Sequence, residues 1–85
     1  MLKATRNRLY VVPVLMSSLD ILEFLSRTEV PLKMNEISDA TGVPLTTTYR
    51  ILQTLVHRGY LAHDTEGKYS LANPAEMMSA FRKRS

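Results

Sequence analysis

A mainly α-helical domain closed by one small β-hairpin is the expected fold of this 85-residue chain. Two patterns lead to it. From Leu15 onward, apolar residues recur at steps of three and four, the spacing of a helix face. Further on, Tyr69 and Leu71 alternate with Lys68 and Ser70 just after a glycine, the period of a strand leaving a turn.

Each element has its own signals. Leu15, Leu19 and Leu22 form one stripe, and Ile21, Phe24 and Leu25 a second. Two overlapping stripes predict a first helix with a wide buried face, packed on more than one side. Pro31 lies just past its end, after Glu29 and Val30. Asn35 is the expected N-cap of a short second helix. Glu36 in the first turn suits the positive end of the helix dipole. Ile37 and Ala40, three apart, are expected to face inward, and Gly42 to close the helix in the left-handed conformation. Pro44 suits the first position of a third helix over residues 44–58. Its apolar side is Ile51, Leu52, Leu55 and Val56, and Gly59 ends it.

Two strand segments follow, Tyr60–Asp64 and Lys68–Leu71. The loop between them, Thr65-Glu66-Gly67, places glycine at the left-handed position of a hairpin. Asn73, Pro74 and Glu76 then start a last helix with the signature of a capping box. Met77, Met78 and Phe81 give it an apolar stripe, expected to make a dimer or linker contact or to pack on the first helix. Arg82, Lys83 and Arg84 fall in its last turn, where cations suit the dipole.

Composition bounds the function. The length allows one domain, burying roughly 60–65% of its unfolded surface. The chain has no Cys, which removes disulfides and Cys-ligated metal or redox sites. Its longest apolar run, Leu9 to Met16, contains Pro13 and falls short of the ~20 residues of a membrane span. Lys3, Arg6 and Arg8 before that run outline a secretory signal. Pro13, the following Asp20 and Glu23, and the continuing helical spacing argue against one, so a cytoplasmic protein is expected. An enzyme is not expected. No serine has a glycine elbow, no glycine-rich phosphate loop exists, and His57 and His63 are six apart without a third ligand. No metal and no cofactor is expected.

Helix, short helix, tight turn, helix and hairpin, in that order, make a winged helix-turn-helix. The Asp39-Ala40-Thr41-Gly42-Val43-Pro44 corner is the informative part, because the DNA-reading version of this motif turns on such a glycine. Its second helix lies in the major groove. At 100° per residue, Thr46, Thr47, Gln53, Thr54 and His57 fall within about 60° of Arg50. Thr48, Ile51, Leu52 and Leu55 cluster opposite, and Tyr49 lies near the boundary. The outward face has no acid and suits DNA: hydroxyls and helix amides for phosphate, Arg for guanine or phosphate, Gln for adenine. On the residues alone, Arg50 could instead pair with Glu36 or Asp39. In the hairpin, Lys68 is the cation placed for backbone contact. Asp64 and Glu66 make the wing acidic, with a net charge of −1 over residues 60–71.

The string Val43-Pro44-Leu45-Thr46-Thr47-Thr48-Tyr49-Arg50-Ile51-Leu52-Gln53-Thr54-Leu55, then Arg58-Gly59-Tyr60, then Gly67-Lys68-Tyr69-Ser70-Leu71, resembles the IclR-type winged-helix domain of bacterial transcription regulators. Leu19-Asp20-Ile21-Leu22-Glu23 resembles that family's first helix. The resemblance covers roughly Val14 to Pro74. It implies a homodimeric module binding double-stranded DNA at a pseudo-palindromic operator, with Thr46, Thr47 and Arg50 at polar recognition positions. In that family the fourth helix leads to a larger ligand-sensing domain, so a small-molecule effector would act only through a domain these residues do not contain. Two positions depart from the pattern. Leu45 replaces a polar or basic residue, and Thr48 replaces a β-branched apolar one at a mild core cost.

The expected organisation is a basic arm at 1–12, the winged helix-turn-helix at 13–72, and a linker helix at 73–85 cut before a ligand-sensing domain. Two other readings stay open. A winged-helix dimerisation domain of a small-molecule O-methyltransferase has a similar first helix, Thr-Gly turn and Tyr-x-Leu ending. A winged helix that binds only protein is the other. The net charge of +3 does not discriminate. Lys3, Arg6, Arg8, Arg82, Lys83 and Arg84 are six of the 11 cations, so residues 9–81 hold five cations against 8 acids, a net −3. The DNA reading therefore rests on one helix face and its family pattern, not on the isoelectric point.

Overall fold

The structure, a computed structural model, describes residues 10–84. The basic arm's Lys3, Arg6 and Arg8 lie outside the described residues. Four helices and three short strands follow: α1 Pro13–Ser26, β1 Leu32–Lys33, α2 Met34–Thr41, α3 Leu45–His57, β2 Leu61–His63, β3 Lys68–Leu71 and α4 Pro74–Arg84. This is the architecture of a winged helix-turn-helix. Among the described residues, no helix is long and apolar enough to cross a membrane.

The core is built from one face each of α1, α2, α3 and the β2–β3 hairpin. Ile21 and Leu25 of α1, Ile37 of α2, and Ile51, Leu52 and Leu55 of α3 meet Val43, Leu61 and Tyr69. Ile21, Ile37 and Leu52 are fully buried. Burying each such side chain contributes about 1.5–3 kcal/mol.

α1 begins at Pro13, where a missing N–H costs nothing. Of its two stripes, the second supplies the buried core residues Ile21 and Leu25, and the first reaches the core only through Leu22. Leu15 and Leu19 are exposed, while Leu22 is half-buried against the edge of the core. The helix stops at Ser26, well short of Pro31. The main-chain N–H and the hydroxyl of Thr28 both donate to the Leu25 carbonyl, at 3.3 and 3.0 Å, and turn the chain away.

A strand absent from the sequence expectation comes next. Leu32 pairs with Tyr69 and Lys33 with Lys68, so the hairpin becomes a three-stranded antiparallel sheet in the order β1-β3-β2. β1 is two residues long, too short to display a period of two. Its pairing moves the start of α2. The cap residue is Lys33, not Asn35, which is exposed in the first turn. Glu36 Oε1 accepts the Lys33 N–H at 2.8 Å, satisfying a donor the strand leaves behind. Ala40 is exposed, against expectation. Met34, Ser38 and Thr41, all half-buried, lie to one side of Ile37, and Ala40 lies to the other.

α3 ends in a Schellman arrangement. Gly59 has φ +89°, the Tyr60 N–H donates to the Leu55 carbonyl at 2.9 Å, and the Gly59 N–H to that of Val56 at 3.1 Å. The expected hairpin forms, with Ala62 opposite Ser70 and His63 opposite Tyr69. At α4 the capping box is present: Asn73 Oδ1 accepts the Glu76 N–H at 2.9 Å, and Glu76 Oε1 accepts the Asn73 N–H at 3.3 Å. The helix leans over α1 and the sheet. Phe81 meets Tyr60 edge to face at 5.5 Å, and Met77 is half-buried beside Leu22 and Leu71. Part of its apolar stripe is thus covered within the chain, while Met78 stays half exposed.

Candidate nucleic-acid interface

The corner between α2 and α3 sets the direction of the outward helix. Gly42 adopts φ +79° and its N–H donates to the Ser38 carbonyl at 2.9 Å. Only glycine takes this conformation without a Cβ penalty. Two hydroxyls then converge on one carbonyl. Ser38 Oγ and Thr48 Oγ1 both donate to the Val43 oxygen, at 2.6 and 3.1 Å. Thr48 is completely buried, yet its hydroxyl is satisfied. The expected core cost of a polar residue there is offset by this bond. Thr48 therefore clamps the turn, a role the sequence pattern did not reveal because helical spacing marks only which side a residue faces.

Pro44 is the cap rather than the first helical residue, and α3 spans Leu45–His57. Its first main-chain bond runs from the Thr48 N–H to the Pro44 carbonyl at 2.8 Å. The amides of Leu45, Thr46 and Thr47 precede it and have no partner inside the helix. Ordered amides at a helix start attract anions.

Of the outward residues, Thr46, Tyr49, Arg50, Gln53, Thr54 and His57 are exposed, and Thr47 is half-buried. No described acid is in ion-pair contact with Arg50, so neither Glu36 nor Asp39 neutralises it. Two of these side chains are already engaged. The Thr54 hydroxyl donates to the Arg50 carbonyl at 2.8 Å, leaving its oxygen as an acceptor only. The Gln53 amide donates from Nε2 to the Tyr69 hydroxyl at 3.2 Å. Tyr69 is a buried residue of the central strand, and His63 stacks flat on its ring, with centroids 4.2 Å apart and planes 4° from parallel. Sequence reading placed Tyr69 only as a strand residue. A polar side chain opposite a strand tyrosine gives no signal until the helix and the sheet are docked.

Lys68 is set apart from this group. It neighbours Tyr69 along β3, and side chains alternate across a strand, so it points to the other face of the sheet. Its ammonium lies 3.5 Å from Glu66 Oε1. The wing tip is tied by Asp64, whose Oδ1 accepts the N–H groups of Lys68 and Glu66, each at 2.9 Å. The Lys68 N–H bond, then that of Glu66 and the nearby positive charge of Lys68, hold the Asp64 carboxyl below its ordinary pKa. Gly67 at φ +80° completes the loop.

Comparison with known proteins supports this geometry. A model of the IclR helix-turn-helix domain matches residues 14–65. The chain is similar to an IclR family transcriptional regulator from Brucella abortus, with 38% identity, a TM-score of 0.68, 73% of this chain covered and 24% of that one. It is similar to an IclR transcriptional regulator from Alicyclobacillus acidocaldarius at 29% identity and TM-score 0.71, covering 86% of this chain and 30% of the other. HmgR of Pseudomonas aeruginosa shares the fold, with a TM-score of 0.68 at 24% identity over 87% and 31% of the two chains. A search of curated proteins gave no match. The chain spans about a quarter to a third of the length of these solved structures. The family match covers more than half of the chain and includes the turn, the outward helix and the first strand of the wing, so the chain belongs to the IclR helix-turn-helix domain family.

Proposed function

We propose that residues 13–72 bind double-stranded DNA as the reading head of a transcription regulator, with α3 in the major groove. One observation carries the reading. The outward face of α3 has no acid, presents Arg50 without an ion-pair partner among the described residues, and begins with three amides free of helix bonds. In this arrangement the Leu45–Thr47 amides and the Thr46 and Thr47 hydroxyls take phosphate, and Arg50 and Gln53 reach base edges. Tyr49 and His57 flank the groove, and Thr54 accepts rather than donates. Lys68 lies near the backbone when it exchanges Glu66 for phosphate. Residues 73–85 act as a linker helix, and two copies read a pseudo-palindrome with half-sites about one helical turn apart. The relatives named above are transcription regulators by description, which supports the same reading.

The test is selection from a random duplex library by the purified chain, followed by sequencing. Enrichment of a half-site motif of a few base pairs, repeated in inverted orientation, is the expected result. Binding that retains no sequence preference after repeated rounds would sink the proposal.

A further inference from the structure

We infer that Tyr69 is a positioning residue for base reading: its hydroxyl fixes the Gln53 amide so that α3 presents a carbonyl oxygen and one N–H outward. This inference rests on the proposed DNA reading and deepens it.

Three observations carry it. Gln53 Nε2 lies 3.2 Å from the Tyr69 hydroxyl, a bond between two elements 16 residues apart. The Tyr69 ring cannot drift. It is 4% exposed, sits in the central strand between Leu32 and His63, and is covered by the stacked His63 imidazole. Gln53 itself is on the outward face of α3, one turn from Arg50 and His57. An exposed glutamine normally samples several rotamers and both amide faces. Here one donor is committed to the protein.

The consequence is chemical selectivity. A glutamine amide has one acceptor and two N–H donors. With one donor on Tyr69, the carbonyl oxygen and the remaining N–H face outward. That pair matches adenine, which offers an N6 donor and an N7 acceptor in the major groove. Guanine offers two acceptors, N7 and O6, and would need both donors. A free glutamine can turn its NH2 outward and accept guanine. One held by Tyr69 must first give up this bond and take a new one, donated by the hydroxyl to its carbonyl oxygen. The wing strand thereby takes part in sequence choice without touching DNA.

The experiment repeats the library selection with the wild-type chain, Gln53→Ala, Tyr69→Phe and the double variant. Side-chain amide NMR of Gln53 in the free wild type and in Tyr69→Phe accompanies it. Gln53→Ala should erase the adenine preference at one base pair of each half-site. Tyr69→Phe, which keeps the ring, should reduce the adenine-over-guanine ratio at that same base pair by roughly three- to tenfold. Other positions should be unchanged, and the double variant should match Gln53→Ala. In NMR, the Gln53 amide should be ordered in the wild type and averaged in Tyr69→Phe. A wild-type profile in Tyr69→Phe, or uniform loss at every position, would overturn the inference. So would an averaged Gln53 amide in the wild type, or a Gln53→Ala profile equal to wild type. If the wild-type chain enriches no sequence while its Gln53 amide is ordered, the DNA reading itself falls and the inference falls with it.

Discussion

Thr48 Oγ1 donates to the Val43 carbonyl at 3.1 Å, and Ser38 Oγ donates to the same oxygen at 2.6 Å. The carbonyl of a buried turn residue thus has two side-chain donors, one from each helix of the corner. Either can satisfy it alone. Thr48→Val keeps the shape and should cost about 1 kcal/mol, and Ser38→Ala a similar amount. The double variant should cost more than the sum, because the carbonyl is then left unpaired at a cost of about 1–3 kcal/mol. Urea unfolding of the four proteins measures this; strict additivity would show that the two donors act independently.

Acid should loosen the wing tip through Asp64. Its folded carboxyl titrates below the ordinary value because the Lys68 and Glu66 amides and the Lys68 charge favour the ionised form. The sign follows from linkage. A lowered folded pKa contributes stability that is fully present above the unfolded value near ~4 and is lost as pH falls through the lower folded value. The Glu66 and Lys68 amide resonances should therefore move together below about pH 4. In Asp64→Asn, whose oxygen can still accept both amides, that movement should vanish.

Removing the Glu36 carboxylate should weaken α2 at its start. Glu36 Oε1 is the partner of the Lys33 N–H at 2.8 Å. Glu36→Ala should cost about 0.5–1 kcal/mol, and Glu36→Gln, which still offers an oxygen, less. Asn35→Ala, by contrast, should be nearly neutral, because Asn35 is not the cap. Thermal unfolding of the three variants distinguishes these outcomes.

Arg50 should matter to DNA and hardly at all to stability, since it is exposed and has no described ion-pair partner. Arg50→Ala should weaken binding to a selected duplex by about 1–3 kcal/mol if it reads a base. If it contacts phosphate, the magnitude of the salt slope should fall by about 1 instead. Fluorescence anisotropy at several salt concentrations separates the two. Unchanged affinity and slope would remove Arg50 from the interface.

Much of this molecule is legible along the chain because its signals are local. A glycine needing positive φ, as at Gly42, Gly59 and Gly67, announces its turn by identity alone. The Asn73–Glu76 capping box spans three residues and reads directly. The inner face of α3 follows from helical period, and the structure buries Ile51, Leu52 and Leu55 as that period requires. So the sequence by itself determined the order of the four helices and the hairpin, the corner and the outward side of α3.

What only the tertiary structure decided depends on residues far apart in the chain. β1 exists because Leu32 and Lys33 find a strand edge at Tyr69 and Lys68, and that pairing transfers the start of α2 from Asn35 to Lys33. The exposure of Leu15 and Leu19 reflects where the other elements end, which no periodicity encodes. The Gln53–Tyr69 bond needs α3 docked on the sheet at one particular height. Period and turn chemistry specify which way a side chain faces. Which partner meets it there is a property of packing, and packing is settled by the whole fold at once.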